Sequence, residues 1–381
     1  MRNPMCEQAW SLPELLRTLH PVLERDTRLA LRTEEIFSIQ RIVLTGCGDS
    51  YAAGLATKHI FELLTGIPTE VVTALDLARY YHPAQVGFAP HNPLVIAVSS
   101  SGTVARLAEA AQFAREHGAF VLAVTANPDA PLGRNASRIL PAKTPPFASA
   151  PGVRSYLTSV LALLLLAVRI GEVRGKYPMD RAGELRQDFL RQADGLEKLL
   201  PEMDRETAEL AKRWSGFGCF DFVGGGFDYA AAFYGHAKIL EAAGRPAMRI
   251  NTEEWLHLNF FARDVERIGT VITANTTNPA VSRSKEVVRY AGVMGRPTMV
   301  VTDGAADDFE NQSAVYVRVP ATKSQIGMPL TQFVPMALLA GYLAEELGET
   351  YGRNCEGPWS FAQNGAGVRE SEIIIRRDVL K

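Results

Sequence analysis

Two stretches of this 381-residue chain follow one plan, and that duplication restricts the available folds more than any other feature. In the first, "RIVLTGCGDSYAAGLATKHIFELLTG" reads as strand, glycine turn and helix. "PTEVV" and "PLVIAVSSSG" then read as strands, "TVARLAEAAQFAREHG" as a helix and "AFVLAVT" as a strand. The second stretch opens with "FDFVGGGFDYAAAFYGHAKILEAAGRPAMRI", and Tyr51-Ala-Ala recurs as Tyr229-Ala-Ala at an offset of 178. "TVITANTTNPAVSRSKEVVRYAGVMGRPTMVVTDG" likewise echoes "LVIAVSSSGTVARLAEAAQFAREHGAFVLAVTAN" at an offset near 176. Apolar runs alternating with helical patterns imply a parallel sheet covered by helices on both faces. A duplication at so long a period implies two similar domains rather than a solenoid.

The expected organisation is an N-terminal helical segment over 1–36, a first domain over 37–175, charged connecting helices over 176–210, a second domain over 211–350 and a tail over 351–381 that closes the site. A net charge of −2, from 40 basic and 42 acidic residues, argues against nucleic acid or an anionic membrane as partner. Cys6, Cys47, Cys219 and Cys355 are too far apart for the usual zinc spacings and point to a reducing, cytosolic setting. The N-terminus lacks the apolar run of a signal peptide. The greasiest segment, Leu157 to Val168, is too short to cross a bilayer and reads as a buried core helix.

The chemistry starts at "VIAVSSSGTVARL". A buried strand that ends in Ser99, Ser100, Ser101, Gly102 and Thr103 delivers hydroxyls and amides to a helix N-terminus, which suits a phosphate. A helix cap alone needs one serine. The second-half counterpart "NTTNPAVSR" has a proline in the turn and reads as a degenerate copy, so one phosphate site per chain is expected. "GCGDSYAAG" and Gly224 to Gly226 are tight turns, incomplete as dinucleotide fingerprints. Ser50 could lend another hydroxyl to the same anion, and plain packing turns explain the glycines equally well.

In the order "GCGDSYAAG … SSSGT … PGVRS … FVGGGFDYAAAFYGHAKILEA … EEWLH", the chain resembles the sugar isomerase (SIS) domain family, and within it the isomerase half of glucosamine-6-phosphate synthase. The resemblance covers nearly the whole chain. It implies two tandem SIS domains, each a flavodoxin-like three-layer α/β/α sandwich with a parallel sheet. The phosphate would lie on Ser99, Ser101 and Thr103, with Ser50 and the Gly152-Val153-Arg154-Ser155 segment nearby. The family pattern S-x-S-G-x-T would put a threonine where this chain has Val104. Glu241 would be the catalytic carboxylate, Lys238 its neighbour, His257 the ring-opening histidine and Glu254 a second glutamate. One carboxylate placed over carbons 1 and 2 can be base and then acid, a histidine can exchange protons with the ring oxygen, and a lysine three residues away can hold the carboxylate ionised. In isolation, Lys238 and Glu241 read equally as a solvated pair and His257 as a satisfied core histidine. The family takes this histidine from a neighbouring subunit, which implies a homodimer with a shared site.

Three departures shape the expectation. Arg2 stands where the synthase has its glutaminase cysteine, so glutamine-dependent amination is not expected. Gln363, in "PWSFAQ", replaces a Schiff-base lysine, although Lys381 or another lysine could reach in. Tyr234 replaces a glutamate one turn before Lys238. The resulting expectation is a phosphosugar isomerase-type enzyme on a hexose 6-phosphate or amino-sugar 6-phosphate, needing neither cofactor nor metal. Alternatives are a deaminase or deglycase releasing an amine by the same enediol chemistry, a non-catalytic sugar-phosphate sensor and, least favoured, a dinucleotide enzyme.

Overall fold

The computed structural model describes residues 3–87, 92–323, 325–360 and 367–375. The chain divides into two compact units. Residues 16–146, 155–187 and 355–381 form the first, and residues 1–15, 147–154 and 188–354 the second.

The first unit is built on five parallel strands: β1 (Ile42–Gly46), β2 (Thr69–Thr73), β3 (Leu94–Val98), β4 (Phe120–Thr125) and β5 (Arg138–Pro141). Their order across the sheet is β2-β1-β3-β4-β5. Every residue of β1, β3 and β4 is buried. That burial explains the continuous apolar runs, since a parallel sheet covered on both faces has no solvent side to alternate with. Leu107, Ala110, Ala111 and Phe113 of the helix Ala105–Glu116 pack into the core with Val43, Val95 and Val121. The apolar segment expected to be a core helix lies in Arg154–Val173, and 83% of its most apolar window is buried.

The second unit repeats the topology with β6 (Cys219–Gly224), β7 (Ala247–Asn251), β8 (Ile268–Thr273), β9 (Thr298–Thr302) and β10 (Val315–Arg318). Its order, β10-β9-β8-β6-β7, is the same 2-1-3-4-5 arrangement counted from β6. This is the flavodoxin-like order, in which ligands bind beyond the carboxyl ends of strands 1 and 3, where the order reverses. In register, Gly46 pairs with Val98 and Val223 with Ile272. The turns after β1 and β3, and those after β6 and β8, therefore leave their sheets side by side at one level.

Where connecting helices were expected, Met179–Trp214 is one helix of 36 residues, although Pro201 inside it has no N–H to donate. The helix Tyr229–Lys238 lies on β6 so closely that a Cβ on Gly235 would fall 2.4 Å from the Phe222 ring. Gly235→Ala would gain roughly 1 kcal/mol of helix propensity but force overpacking that costs about 1–3 kcal/mol. Net destabilisation is expected in urea unfolding, and a more stable variant would contradict this account of the helix–strand contact.

Candidate functional site

In the first unit the serine loop leaves β3 and enters the helix Ala105–Glu116. Ser99 is buried, and its Oγ accepts from the Gly102 amide at 3.1 Å. Ser101 and Thr103 share a hydroxyl hydrogen bond at 3.0 Å, and the Thr103 amide donates to Ser101 Oγ at 3.3 Å. Gly102 has φ +67°, and a Cβ there would lie 2.8 Å from Ala130 Cβ. The loop therefore requires glycine on both conformational and packing grounds. The helix N-cap is Val104, which has no side-chain cap bond. The Val368 carbonyl instead accepts from the Ala105 amide at 2.8 Å.

That carbonyl belongs to the described part of the C-terminal tail, which is bonded along this helix. Arg106 donates to Ser371 Oγ at 2.6 Å and to the Glu372 carbonyl at 2.8 Å, while the Ile374 amide donates to Glu109 at 3.1 Å. Burial alone would raise the Glu109 pKa. The Arg79 hydrogen bond, the Ile374 amide and the nearby guanidinium charges outweigh it and hold the carboxyl below its usual range. Ser50 is the second residue of the helix Asp49–Thr65, and its amide donates to the Cys47 carbonyl at 3.1 Å. Ser155 sits in the first turn of Arg154–Val173, and its carbonyl accepts from Ser159 Oγ at 3.0 Å. Gln363 and Lys381 lie outside the described residues.

In the second unit, Lys238 is completely buried and donates to Glu241 Oε2 at 2.7 Å, while the Glu241 side chain is 44% exposed. A solvated ion pair does not describe this arrangement: the cation is inside and only the carboxylate reaches out. Glu241 lies in a π-helical turn, Ile239–Ala243, that prolongs Tyr229–Lys238. Such turns are rare and recur at functional sites. Tyr234, buried below, puts its ring 5.1 Å from Lys238 Nζ and donates from its hydroxyl to the Gly152 carbonyl at 3.1 Å. Tyr234 thus ties residues 147–154 to this helix. Gln8 adds a second tie by accepting from the Val153 and Arg154 amides at 3.4 and 3.3 Å.

His257 ends the short helix Thr252–His257 with its side chain 66% exposed, so it is no core histidine. Its Nε2 lies 3.1 Å from Glu253, and Arg283 grips the same carboxylate at 2.6 and 3.0 Å. The Arg283 and His257 hydrogen bonds hold the Glu253 carboxyl below its ordinary range. Sequence reasoning singled out Glu254, an exposed residue, and passed over Glu253. The i,i+4 spacing of Glu253 and His257 was a usable signal, whereas Arg283, 30 residues further on, gave none.

In the second unit, the loop after β8 that answers to the serine loop in sequence is bonded to a carboxylate. Between the ends of β6 and β8, the fully buried Asp228 accepts from Asn275 Nδ2 at 2.6 Å, Asn278 Nδ2 at 2.8 Å and the Asn275 amide at 3.2 Å. A separate cavity of about 420 Å³ is lined by His20, Glu24, Arg28, Glu172 and Arg186, none of them an expected site residue.

Burial raises the Asp228 carboxyl to about 6, against the opposing hydrogen bonds of Asn275 and Asn278. The native state then holds this proton more tightly than the unfolded chain, whose carboxylate titrates near ~3.9. The contribution of Asp228 to stability is present below that value and declines as pH rises through about 6. Wild type should therefore lose stability relative to Asp228→Asn between pH 4 and 7 in thermal melts, and parallel profiles would refute the assignment.

Residues 35–169 match the family model described as SIS domain. A glutamine–fructose-6-phosphate aminotransferase (isomerizing) of Clostridium tetani is 26% identical over 350 residues, 90% of this chain and 56% of that protein. The chain spans about half the length of the curated relatives it matches. Among solved structures, the C-terminal domain of glucosamine-fructose-6-phosphate aminotransferase from Francisella tularensis superposes with a TM-score of 0.81 at 16% identity, over 92% of this chain and 98% of that one. Tagatose-6-phosphate ketose/aldose isomerase from Escherichia coli follows with a TM-score of 0.70 at 16% identity, over 91% and 93% of the two chains. At such identities these two establish the fold alone. The chain carries a SIS domain and is homologous to the isomerase domain of the glutamine–fructose-6-phosphate aminotransferases.

Proposed function

We propose that this protein is an enzyme of the phosphosugar isomerase type, acting on a hexose 6-phosphate or its amino-substituted derivative by proton transfer between carbons 1 and 2. The observation that supports this most is the Lys238–Glu241 pair. One carboxylate oxygen is fixed by a fully buried ammonium 2.7 Å away, and the side chain projects outward from a π-turn. A carboxylate so restrained can take a proton from one carbon and return it to the next without reorienting. His257 is the ring-opening group, and Glu253 with Arg283 orients its imidazole.

The phosphate sits at Ser99, Ser100, Ser101, Gly102 and Thr103, with Ser50 beside it. The carboxylate in the equivalent crevice of the second unit supports one phosphate per chain. Val153, Ser155, Glu254 and Gln363 complete the set of residues assigned to the sugar. The exposed Leu258 and Phe261 next to His257 offer apolar surface to a second copy of the chain, so the enzyme works as a homodimer.

One sequence observation favours an amine-releasing variant of this chemistry. With Gln363 in the place of the Schiff-base lysine, no imine to a ketose forms there, whereas release of an amine already on carbon 1 or 2 needs only proton transfer through the enaminol and addition of water to the resulting iminium, which yields the carbonyl and the free amine.

The test is a thermal-shift panel of hexose, amino-sugar and fructosyl-amino-acid 6-phosphates, each beside its unphosphorylated counterpart. A ligand at a hundred times its Kd adds about 2.7 kcal/mol. A shift that requires the phosphate is expected, followed by carbon-bound proton exchange or amine release with the best ligand. Glu241→Gln should lower that turnover by roughly 100-fold or more. Wild-type turnover in this variant would remove Glu241 as the base.

A further inference from the structure

The short helix that carries His257 is held from the inside by one buried guanidinium. Arg296, in the turn between the helix Val281–Val293 and β9, is completely buried, as is its partner Asp221 on β6. Its Nη1 donates to Asp221 at 2.8 Å and to Thr270 Oγ1 on β8 at 3.3 Å. Its Nη2 donates to the Asn259 carbonyl at 2.5 Å, and its plane lies 5.0 Å from the ring of the fully buried Trp255. Trp255 is two residues before His257 and Asn259 two residues after it, so the guanidinium brackets the histidine from both sides. Between them Leu258 breaks the helix with φ −124° and ψ −70°, which lets the Asn259 carbonyl turn inward.

Stability alone does not account for this arrangement. A fully buried ion pair is commonly no better than apolar residues of the same volume, because desolvation offsets the Coulomb gain. Here Arg296 Nε and Asp221 Oδ1 are buried with no hydrogen-bond partner among the described residues, so the pair is not arranged to satisfy itself. Instead the planar fork reaches the central strands on one side and the His257 segment on the other. Lysine, a point charge without a plane or a fork, could not span all of these groups.

We propose that Arg296 is a positioning residue, which fixes the place of His257 by holding residues 255 and 259 against the sheet. This rests on the ring-opening role given to His257. Glu253 and Arg283 orient the imidazole from the solvent side, and Arg296 sets the backbone beneath it.

Two full-length variants test the proposal. Arg296→Lys keeps a cation for Asp221, and Arg296→Met combined with Asp221→Leu leaves no charge buried. In both, amide exchange of peptides covering residues 252–260 should quicken by at least about tenfold, with peptides from β6 and β8 unchanged. The kcat/KM for a ring-closed hexose 6-phosphate should fall at least about tenfold, through kcat. Carbon-1 proton exchange on the 5-deoxy ketohexose 6-phosphate, which has no free hydroxyl placed to close a ring on carbon 2, should stay within about twofold, because that substrate needs no ring opening. Unchanged exchange over 252–260, fast exchange spread evenly through the unit, or an equal loss on both sugars would each overturn the proposal. His257→Gln is the separate control. If it retains full activity on the ring-closed sugar, the ring-opening reading falls, while amide exchange still decides what Arg296 holds.

Discussion

A parallel sheet has to be covered on both faces, and everything else in this protein follows from how that requirement is met twice. Because β1, β3 and β4 are buried throughout, they leave no side chain open to solvent, and the serine loop of the first unit lies beyond the carboxyl end of β3. The in-register pairing of β1 with β3, and of β6 with β8, then sets two loops side by side where the strand order reverses. Each unit therefore has one crevice whose position is dictated by topology before any chemistry is chosen.

The two crevices have diverged electrostatically while the backbones keep one plan. In the first unit a serine loop with a glycine at positive φ presents hydroxyls and amides. In the second, Asp228 and two asparagines close the same place with a buried, fully hydrogen-bonded carboxylate. The second unit carries its candidate groups on the helix after β6 and on the segment after β7. There, burial of Lys238 beside Tyr234 turns an ordinary i,i+3 pair into a directed one: the ammonium is withdrawn from water and the carboxylate is left at the surface.

The tail and the segment 147–154 are both held through backbone carbonyls. The Val368 carbonyl accepts from the Ala105 amide at the start of its helix, whose N-cap Val104 makes no side-chain cap bond. The Gly152 carbonyl accepts from the Tyr234 hydroxyl. In both cases the hydrogen bond is completed by a part of the chain remote in sequence.

The interior strands could be read directly because continuous apolar runs mark strands buried on both faces. β5 and β10 could not, since these short edge strands are partly exposed and show no such run. The duplication, the serine loop, and the spacing of Lys238 from Glu241 are properties of the sequence alone. Which partner of a helical pair is buried depends on the surface the helix meets, so the depth of Lys238 and the exposure of His257 were settled only by tertiary packing. The π-turn at Glu241, the grip of Arg283 on Glu253 and the reach of Arg296 to Asn259 belong to the same class. They join residues tens of positions apart, or alter helical phase, and local periodicity carries no information about either.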